Sequence, residues 1–138
     1  MSLKARRIRG FAAERELAYR LWRAGYAVLR APASGSKVAR VVYPDVLAVK
    51  DGRVLVFEVK TLARYKAIYI YKQKIDRLAE FARRAGGEAY VAVKLKDISR
   101  WFFVPVDTLR SADGGFYAIL REQLDGALSL EDLLRAGG

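Results

Sequence analysis

The pattern of apolar positions divides the first part of the chain into a long helix, a short strand and a loop. Apolar residues recur at helical spacing over residues 4–24, and Gly25 follows where a C-terminal cap belongs. Residues 26–30 have the pattern of a short strand. Small residues dominate 32–40, including Ala-Ser-Gly-Ser-Lys, and they predict a loop.

Two largely apolar runs, 41–50 and 53–60, are joined by the dipeptide Asp51-Gly52. This dipeptide is typical of a two-residue hairpin turn. Several consecutive residues in each run are apolar, so both strands are predicted to be covered on both faces. With a two-residue turn, counting outward from the turn brings Asp45 opposite Glu58.

The rest of the chain alternates between strand and helix patterns. The predicted elements are a strand at 65–71, a helix at 72–85 ended by Gly86-Gly87, strands at 89–93 and 101–104, a short helix after Asp107, a strand at 116–119 and a polar tail. This order indicates one α/β domain over residues 1–138, with a mixed β-sheet flanked by helices.

Three charged side chains converge at one end of the predicted hairpin. Asp45 and Glu58 should have Cβ atoms about 5 Å apart, and Lys60 points to the same face two residues beyond Glu58. Opposed carboxylates are destabilising unless a cation compensates them. A divalent metal held by Asp45, Glu58 and the Val59 carbonyl would do so. A surface ion pair that stabilises the strand ends is the alternative, and it explains each residue singly better than it explains the convergence of all three.

The formal net charge is +11, and it is concentrated in the first 40 residues. That segment holds ten Lys and Arg against the two acids Glu14 and Glu16. Such a basic region would attract a polyanion such as DNA, although a solubilising surface is the alternative. A membrane surface fits less well, because the segment lacks a one-sided stripe of large apolar residues.

Several residue types are absent from the chain. It has no Cys and no His, so thiol chemistry, zinc-thiolate sites and histidine bases are excluded. Any metal must be held by oxygen ligands, which favours Mg²⁺, with Mn²⁺ as a substitute. Asn is absent as well, which hints at a thermophilic source. No apolar run reaches membrane-spanning length, and a cytoplasmic, nucleoid-associated location is expected.

Pro44-Asp45, twelve intervening residues, and then Glu58-Val59-Lys60 closely resemble the metal-binding core of the restriction-endonuclease-like nucleases. The resemblance implies acids that bind magnesium. It also implies a lysine that activates the attacking water or stabilises the pentavalent phosphate. This is metal-ion catalysis with no covalent intermediate, and it suits a chain without His and Cys.

Longer stretches resemble the archaeal Holliday junction resolvase family, and they are spread over essentially the whole length of the chain: residues 9–17, 26–60 with Arg-Ala-Pro-Ala-Ser-Gly-Ser-Lys, and 128–134. The resemblance implies a homodimer that binds branched DNA, at four-way junctions, and makes paired, symmetrical nicks during homologous recombination and repair. A sliding clamp or a branch-migration helicase is a plausible partner, but no tail motif demonstrates either.

The resemblance enlarges the catalytic set to Glu14, Ser34, Asp45, Glu58 and Lys60, with Glu14, Asp45 and Glu58 as metal ligands. Glu16 competes with Glu14 for the helix position, although a helix-surface pair with Arg20 explains Glu16 well. Ser34 would hydrogen-bond a phosphate or the attacking water, and a generic flexible loop is its alternative.

Basic residues near the predicted catalytic elements are candidates for phosphate contacts, with solvated charge as the alternative for each. They are Arg6, Arg7, Arg9, Arg30, Lys37, Arg40, Arg64 and Lys66. Gln73, early in the second helix, is a further weak candidate near the active site. Two other functions stay open: a repair or restriction-like nuclease of the same superfamily, and a non-catalytic DNA-binding module on this fold.

Overall fold

The structure is a computed structural model, and it describes residues 3–31 and 43–136. Its helices and strands within those ranges are α1 (Leu3–Arg23), β1 (Ala27–Arg30), β2 (Val46–Lys50), β3 (Arg53–Leu62), β4 (Ile68–Tyr71), α2 (Lys72–Ala85), β5 (Glu88–Leu95), β6 (Arg100–Pro105), a 3₁₀ turn (Val106–Thr108), β7 (Arg110–Ala112), β8 (Phe116–Ile119), α3 (Arg121–Asp125) and α4 (Leu130–Arg135).

The predicted hairpin and its register are confirmed. Lys50 pairs with Arg53, and the antiparallel ladder runs outward to Val46 and Phe57. Asp51 and Gly52 both have positive φ, at 48° and 83°. These angles belong to the turn class that matches the twist of a two-residue hairpin, and glycine adopts them without a steric cost.

The main sheet contains five strands in the order β1-β2-β3-β5-β6. The central strands β3 and β5 are parallel, while the other neighbours pair antiparallel. Parallel neighbours require a crossover connection, and here β4 and α2 supply it. The long strand β3 therefore lies inside the sheet, with hydrogen-bonded neighbours on both sides.

Helices cover both faces of this sheet, as the apolar runs predicted. Leu55 and Phe57 of β3 pack in a core with α1 and α4. Val56, between them in sequence, points to the opposite face and packs against Leu78 and Ala82 of α2. All three strand residues are fully buried, which explains why the run is apolar at consecutive positions.

The strand predicted at 65–71 is shorter than predicted, and it does not belong to the main sheet. It begins at Ile68 and pairs with β8 in a second sheet of order β4-β8-β7. Ile68 and Ile70 of β4 are buried, whereas Tyr69 and Tyr71 are exposed. This alternation is that of a strand with one face in solvent. The sequence did not indicate it, because the residues of both faces are apolar or aromatic.

Two predictions about the end of the chain are wrong. The segment around Asp107 forms a single 3₁₀ turn, and the following helix, α3, comes after β8. The predicted polar tail contains α4, whose Leu133 is fully buried in the α1 core. Ser129 caps this helix, because its hydroxyl accepts a hydrogen bond from the Asp132 N–H at 3.0 Å.

Candidate active site

The carboxylates of Asp45 and Glu58 come together at the open end of the β2–β3 hairpin. The Asp45 N–H donates to the Phe57 carbonyl at 2.9 Å, which extends the pairing one residue beyond β2. The Val59 N–H in turn donates to Asp45 Oδ2 at 2.8 Å. These bonds hold the aspartate against β3 immediately beside Glu58, as the register predicted.

Burial and charge together perturb Asp45. Burial is the main cause that raises its pKa to about 7, and the negative charge of Glu58 raises it further. The hydrogen bond from Val59 opposes the shift, since it favours the ionised carboxylate. The surroundings of Asp45 therefore favour its neutral form more than water does.

Glu58 is buried, with 4 % of its surface exposed, and two lysines reach its carboxylate. Lys74 Nζ lies 2.7 Å from Glu58 Oε1, and Lys60 Nζ lies 3.6 Å from the same oxygen. Lys60 is therefore placed where the sequence predicted. Lys74, on the first turn of α2, was missed.

Lys74 stands one position after Gln73, the helix residue suggested by the sequence. Gln73 is exposed, and the contact to Glu58 comes from Lys74 instead. The helical spacing of apolar residues was the one sequence signal that could have pointed to Lys74. Ile75, Leu78 and Ala82 form the buried face of α2, and Lys74 borders that face. Without knowing where α2 docks, that spacing alone does not assign a target to the lysine.

Glu14 and Glu16 have different partners in the structure. Burial raises the pKa of Glu14, Arg30 opposes this with its guanidinium 3.6 Å away, and the charge of Glu58 adds to the increase. Glu14 is thus within the electrostatic field of the acidic pair. Glu16 instead forms an ion pair with the buried Lys94. The catalytic role of Glu14 stays a prediction.

The donor set fits a hard divalent cation in its chemistry. Asp45 and Glu58 offer carboxylate oxygens, and Val59, whose N–H binds Asp45, carries a backbone carbonyl beside them. Burial, and after it the negative charge of Glu58, raise the pKa of Asp45, so a cation there would relieve both. In residues 3–31 and 43–136, however, no group of three or more acidic side chains is arranged to hold a metal ion. Two carboxylates and a backbone oxygen are what this part of the chain provides.

The remaining predicted site residues fall into three groups. Arg30, Arg64 and Lys66 are exposed, and Arg30 also donates to the Phe11 carbonyl at 3.3 Å. Other predicted DNA contacts lie on α1 with side chains outside the described part, namely Arg6, Arg7 and Arg9. The residues predicted in the loop, Ser34, Lys37 and Arg40, lie outside the described residues.

The chain is similar to known proteins along almost its whole length. A family model described as archaeal Holliday junction resolvase (Hjc) matches residues 5–138. The chain belongs to the Hjc family. A crossover junction endodeoxyribonuclease Hjc of Sulfurisphaera tokodaii is 42 % identical over 133 residues, covering 96 % of this chain and 90 % of the relative. The Hjc of Sulfolobus acidocaldarius is 37 % identical, covering 92 % and 87 %.

A solved Hjc structure shares the architecture. The Archaeoglobus fulgidus Hjc, described as a Holliday junction resolvase, superposes with a TM-score of 0.77 at 30 % identity, over 92 % of this chain and 96 % of that one. A bacterial homing endonuclease matches with a TM-score of 0.51 at 18 % identity, over 86 % and 73 %, which bears on the fold alone. The predicted restriction-endonuclease-like α/β fold is confirmed for this Hjc family member.

Across the described part of this family member, no helix has the length and apolar character to cross a membrane.

Proposed function

We propose that the chain is an endodeoxyribonuclease that cuts four-way DNA junctions during homologous recombination and repair, using Mg²⁺ at Asp45 and Glu58. The facing pair of carboxylates at the end of the hairpin carries the proposal, since opposed buried acids are costly to the fold and a divalent cation would compensate both of them. The family and the names of its members, crossover junction endodeoxyribonucleases, support the reaction and the junction substrate.

The described residues divide the chemistry among them. A bound divalent cation would neutralise phosphate charge and make a bound water more acidic. Asp45, Glu58 and the Val59 carbonyl would hold that cation, with Glu14 as a further acid. Lys60 is one-third exposed, so its ammonium can reach the open side of the site and donate to the attacking water or a phosphate oxygen.

Two copies of the chain would suit a four-way junction. A junction has approximate two-fold symmetry and two strands to cut, so an isologous homodimer presents two equivalent sites to it. We therefore propose paired, symmetrical nicks by a homodimer. The net charge of +11 supports DNA binding, with the exposed Arg30, Arg64 and Lys66 among the proposed phosphate contacts. The proposed substrate would place the protein at the nucleoid, in the cytoplasm.

End-labelled four-way junction and linear duplex of the same sequence, each incubated with Mg²⁺, would test the reaction and the substrate together. Cleavage of the junction should be lost in Asp45→Asn and Glu58→Gln, while junction binding persists in a gel-shift assay. Glu80→Gln is the matched control, because Glu80 is a partly exposed acid paired with Arg83 and Arg84 on α2, away from Glu58.

Tight junction binding without Mg²⁺-dependent cleavage by the unmodified protein would contradict the enzymatic proposal. Cleavage of linear duplex at a similar rate would leave a nuclease and remove the junction preference.

A further inference from the structure

The packing of α2 determines where the backbone of Lys74 lies. Ile75, the next residue, is buried with the Val91 and Val93 side chains of β5, and Leu78 is buried against Val56 of β3. The Lys72 N–H also donates to the Gly115 carbonyl at 2.9 Å, which ties the first turn of α2 to the second sheet. The helix therefore presents Lys74 to β3 in a defined place.

The ion pair of Lys74 differs from an ordinary surface pair. Glu80 and Arg83, also on α2, are both substantially exposed, and such pairs contribute little. The Glu58 side chain is 5 % exposed, whereas Lys74 is half exposed. A buried carboxylate loses most of its hydration, so the ammonium beside it is its main source of compensation.

The contact is also made on one particular oxygen. Lys74 Nζ lies 2.7 Å from Glu58 Oε1, within hydrogen-bond distance, whereas Lys60 Nζ is 3.6 Å from the same atom. Lys74 is thus the stronger partner of this oxygen. A metal ligand whose oxygen already accepts a charged hydrogen bond must give up that bond, or weaken it, to coordinate a cation.

We propose that Lys74 is a built-in counter-ion of Glu58 that competes with the divalent cation and lowers the metal affinity of the site. The inference rests on the proposed metal-dependent function. Its half-exposed, flexible side chain can leave the carboxylate toward solvent when a cation binds, and there it is available to the negative charge of DNA. Lys74 is in this sense a positioning residue, because it acts through Glu58.

Mn²⁺ binding to the intact, metal-free protein tests this without any cleavage assay. Free Mn²⁺ would be measured by electron paramagnetic resonance at constant pH and salt for the unmodified protein, Lys74→Met and Lys74→Gln. Both variants should bind Mn²⁺ at least about fivefold more tightly, because a like charge is removed from within a few ångströms of the ligands. Lys74→Arg keeps the charge and should not bind more tightly than the unmodified protein.

Lys72→Met is the matched control for net charge. Lys72 lies on the same helical turn, but its ammonium is over the Tyr117 ring, with Nζ 5.5 Å from the ring centroid, and not at Glu58. Its Mn²⁺ affinity should stay within about twofold of the unmodified protein, because the charge that it removes is screened by distance and solvent. A loss of structure at position 74 would weaken binding, so tighter binding distinguishes competition from a structural effect.

The outcomes separate this inference from the function beneath it. Mn²⁺ binding that Asp45→Asn abolishes, but that Lys74→Met and Lys74→Gln leave unchanged or weaken, would overturn the competition and keep the metal site. Absence of Mn²⁺ binding in the unmodified protein and in all variants would overturn the metal site, and the competition with it.

Discussion

Asp45 lies between two opposing influences, the burial that favours its neutral form and the Val59 N–H that favours its charged form. Burial and the charge of Glu58 dominate, and they raise its pKa from 3.8 to about 7. A carboxylate in this situation is easily neutralised by a proton, and a cation would serve the same purpose. The proposed cation would therefore relieve the same unfavourable burial of charge that a proton relieves.

This shift predicts how the stability of the metal-free protein depends on pH. Between the unfolded pKa of 3.8 and the folded pKa of about 7, the folded state binds the extra proton, so raising the pH lowers stability. From pH 5 to pH 8 this group should remove roughly 1–3 kcal/mol. Guanidinium unfolding in EDTA would show the fall in the unmodified protein.

Asp45→Asn is the control for that measurement, because it keeps the shape and removes the titration. Its unfolding free energy should change distinctly less between the two pH values. Equal pH dependence in the two proteins would contradict the assignment of the effect to Asp45.

Glu14 and Glu16 should respond differently to loss of their charges. Glu14→Gln removes an acid that interacts with Glu58 at the proposed metal site and should slow cleavage by about 10- to 100-fold. Glu16→Gln leaves the buried Lys94 without its carboxylate partner and should lower the unfolding free energy by about 1–3 kcal/mol, with the smaller effect on cleavage. Junction cleavage rates and denaturant midpoints for both variants would check this.

Reversal of the two cleavage effects would assign the helix acid of the site to Glu16 instead.

At the scale of elements, local signals predicted the hairpin and the second helix. Asp51-Gly52 determines the turn, and the turn then determines which residues face each other, so Asp45 and Glu58 could be paired from sequence. The helix α2 matched its predicted bounds because Gly86, in the left-handed conformation with φ 67°, ends it. These features depend on residues close together in the chain.

Features that depend on distant partners were not predictable in the same way. The strand β4 pairs with β8, about fifty residues later, so nothing near Ile68 indicates a second sheet. Lys74 reaches Glu58 because α2 docks on β3, and a helix pattern indicates a buried face without naming the strand beneath it. The acids of the site could thus be found from sequence, but their lysine partner on α2 could not.

Gly87 connects α2 to β5 where the backbone passes close to β3. A Cβ at this position would lie 2.6 Å from the Val54 carbonyl oxygen, which belongs to a central strand and cannot easily move. Gly87→Ala should therefore destabilise the fold by about 1–3 kcal/mol. Gly126→Ala is the matched control, because a Cβ there meets nothing within 4 Å.

Thermal or guanidinium unfolding of both alanine variants would measure this difference. Equal stabilities would show that the contact between the loop and β3 is looser than the structure has it.

At the scale of the whole molecule, the acidic pair Asp45 and Glu58 contrasts with the net charge of the chain, which is +11. The two signs serve different parts of the proposed reaction. In that reaction the basic residues would attract the DNA backbone without regard to sequence, and the buried acids would hold the cation that meets the phosphate. Neither the basic charge nor the acidic pair selects a branched substrate. We propose that this selection requires two copies of the chain acting on a symmetrical junction.

Paired cleavage of a four-way junction can be tested with a supercoiled plasmid whose inverted repeat extrudes as a cruciform. With Mg²⁺, the unmodified protein should convert it to linear DNA by nicking two opposed strands within one binding event, and a plasmid without the repeat should stay supercoiled. Asp45→Asn should leave both plasmids uncut. Equal cutting of the two plasmids, or accumulation of singly nicked circles alone, would contradict paired cleavage of a four-way junction.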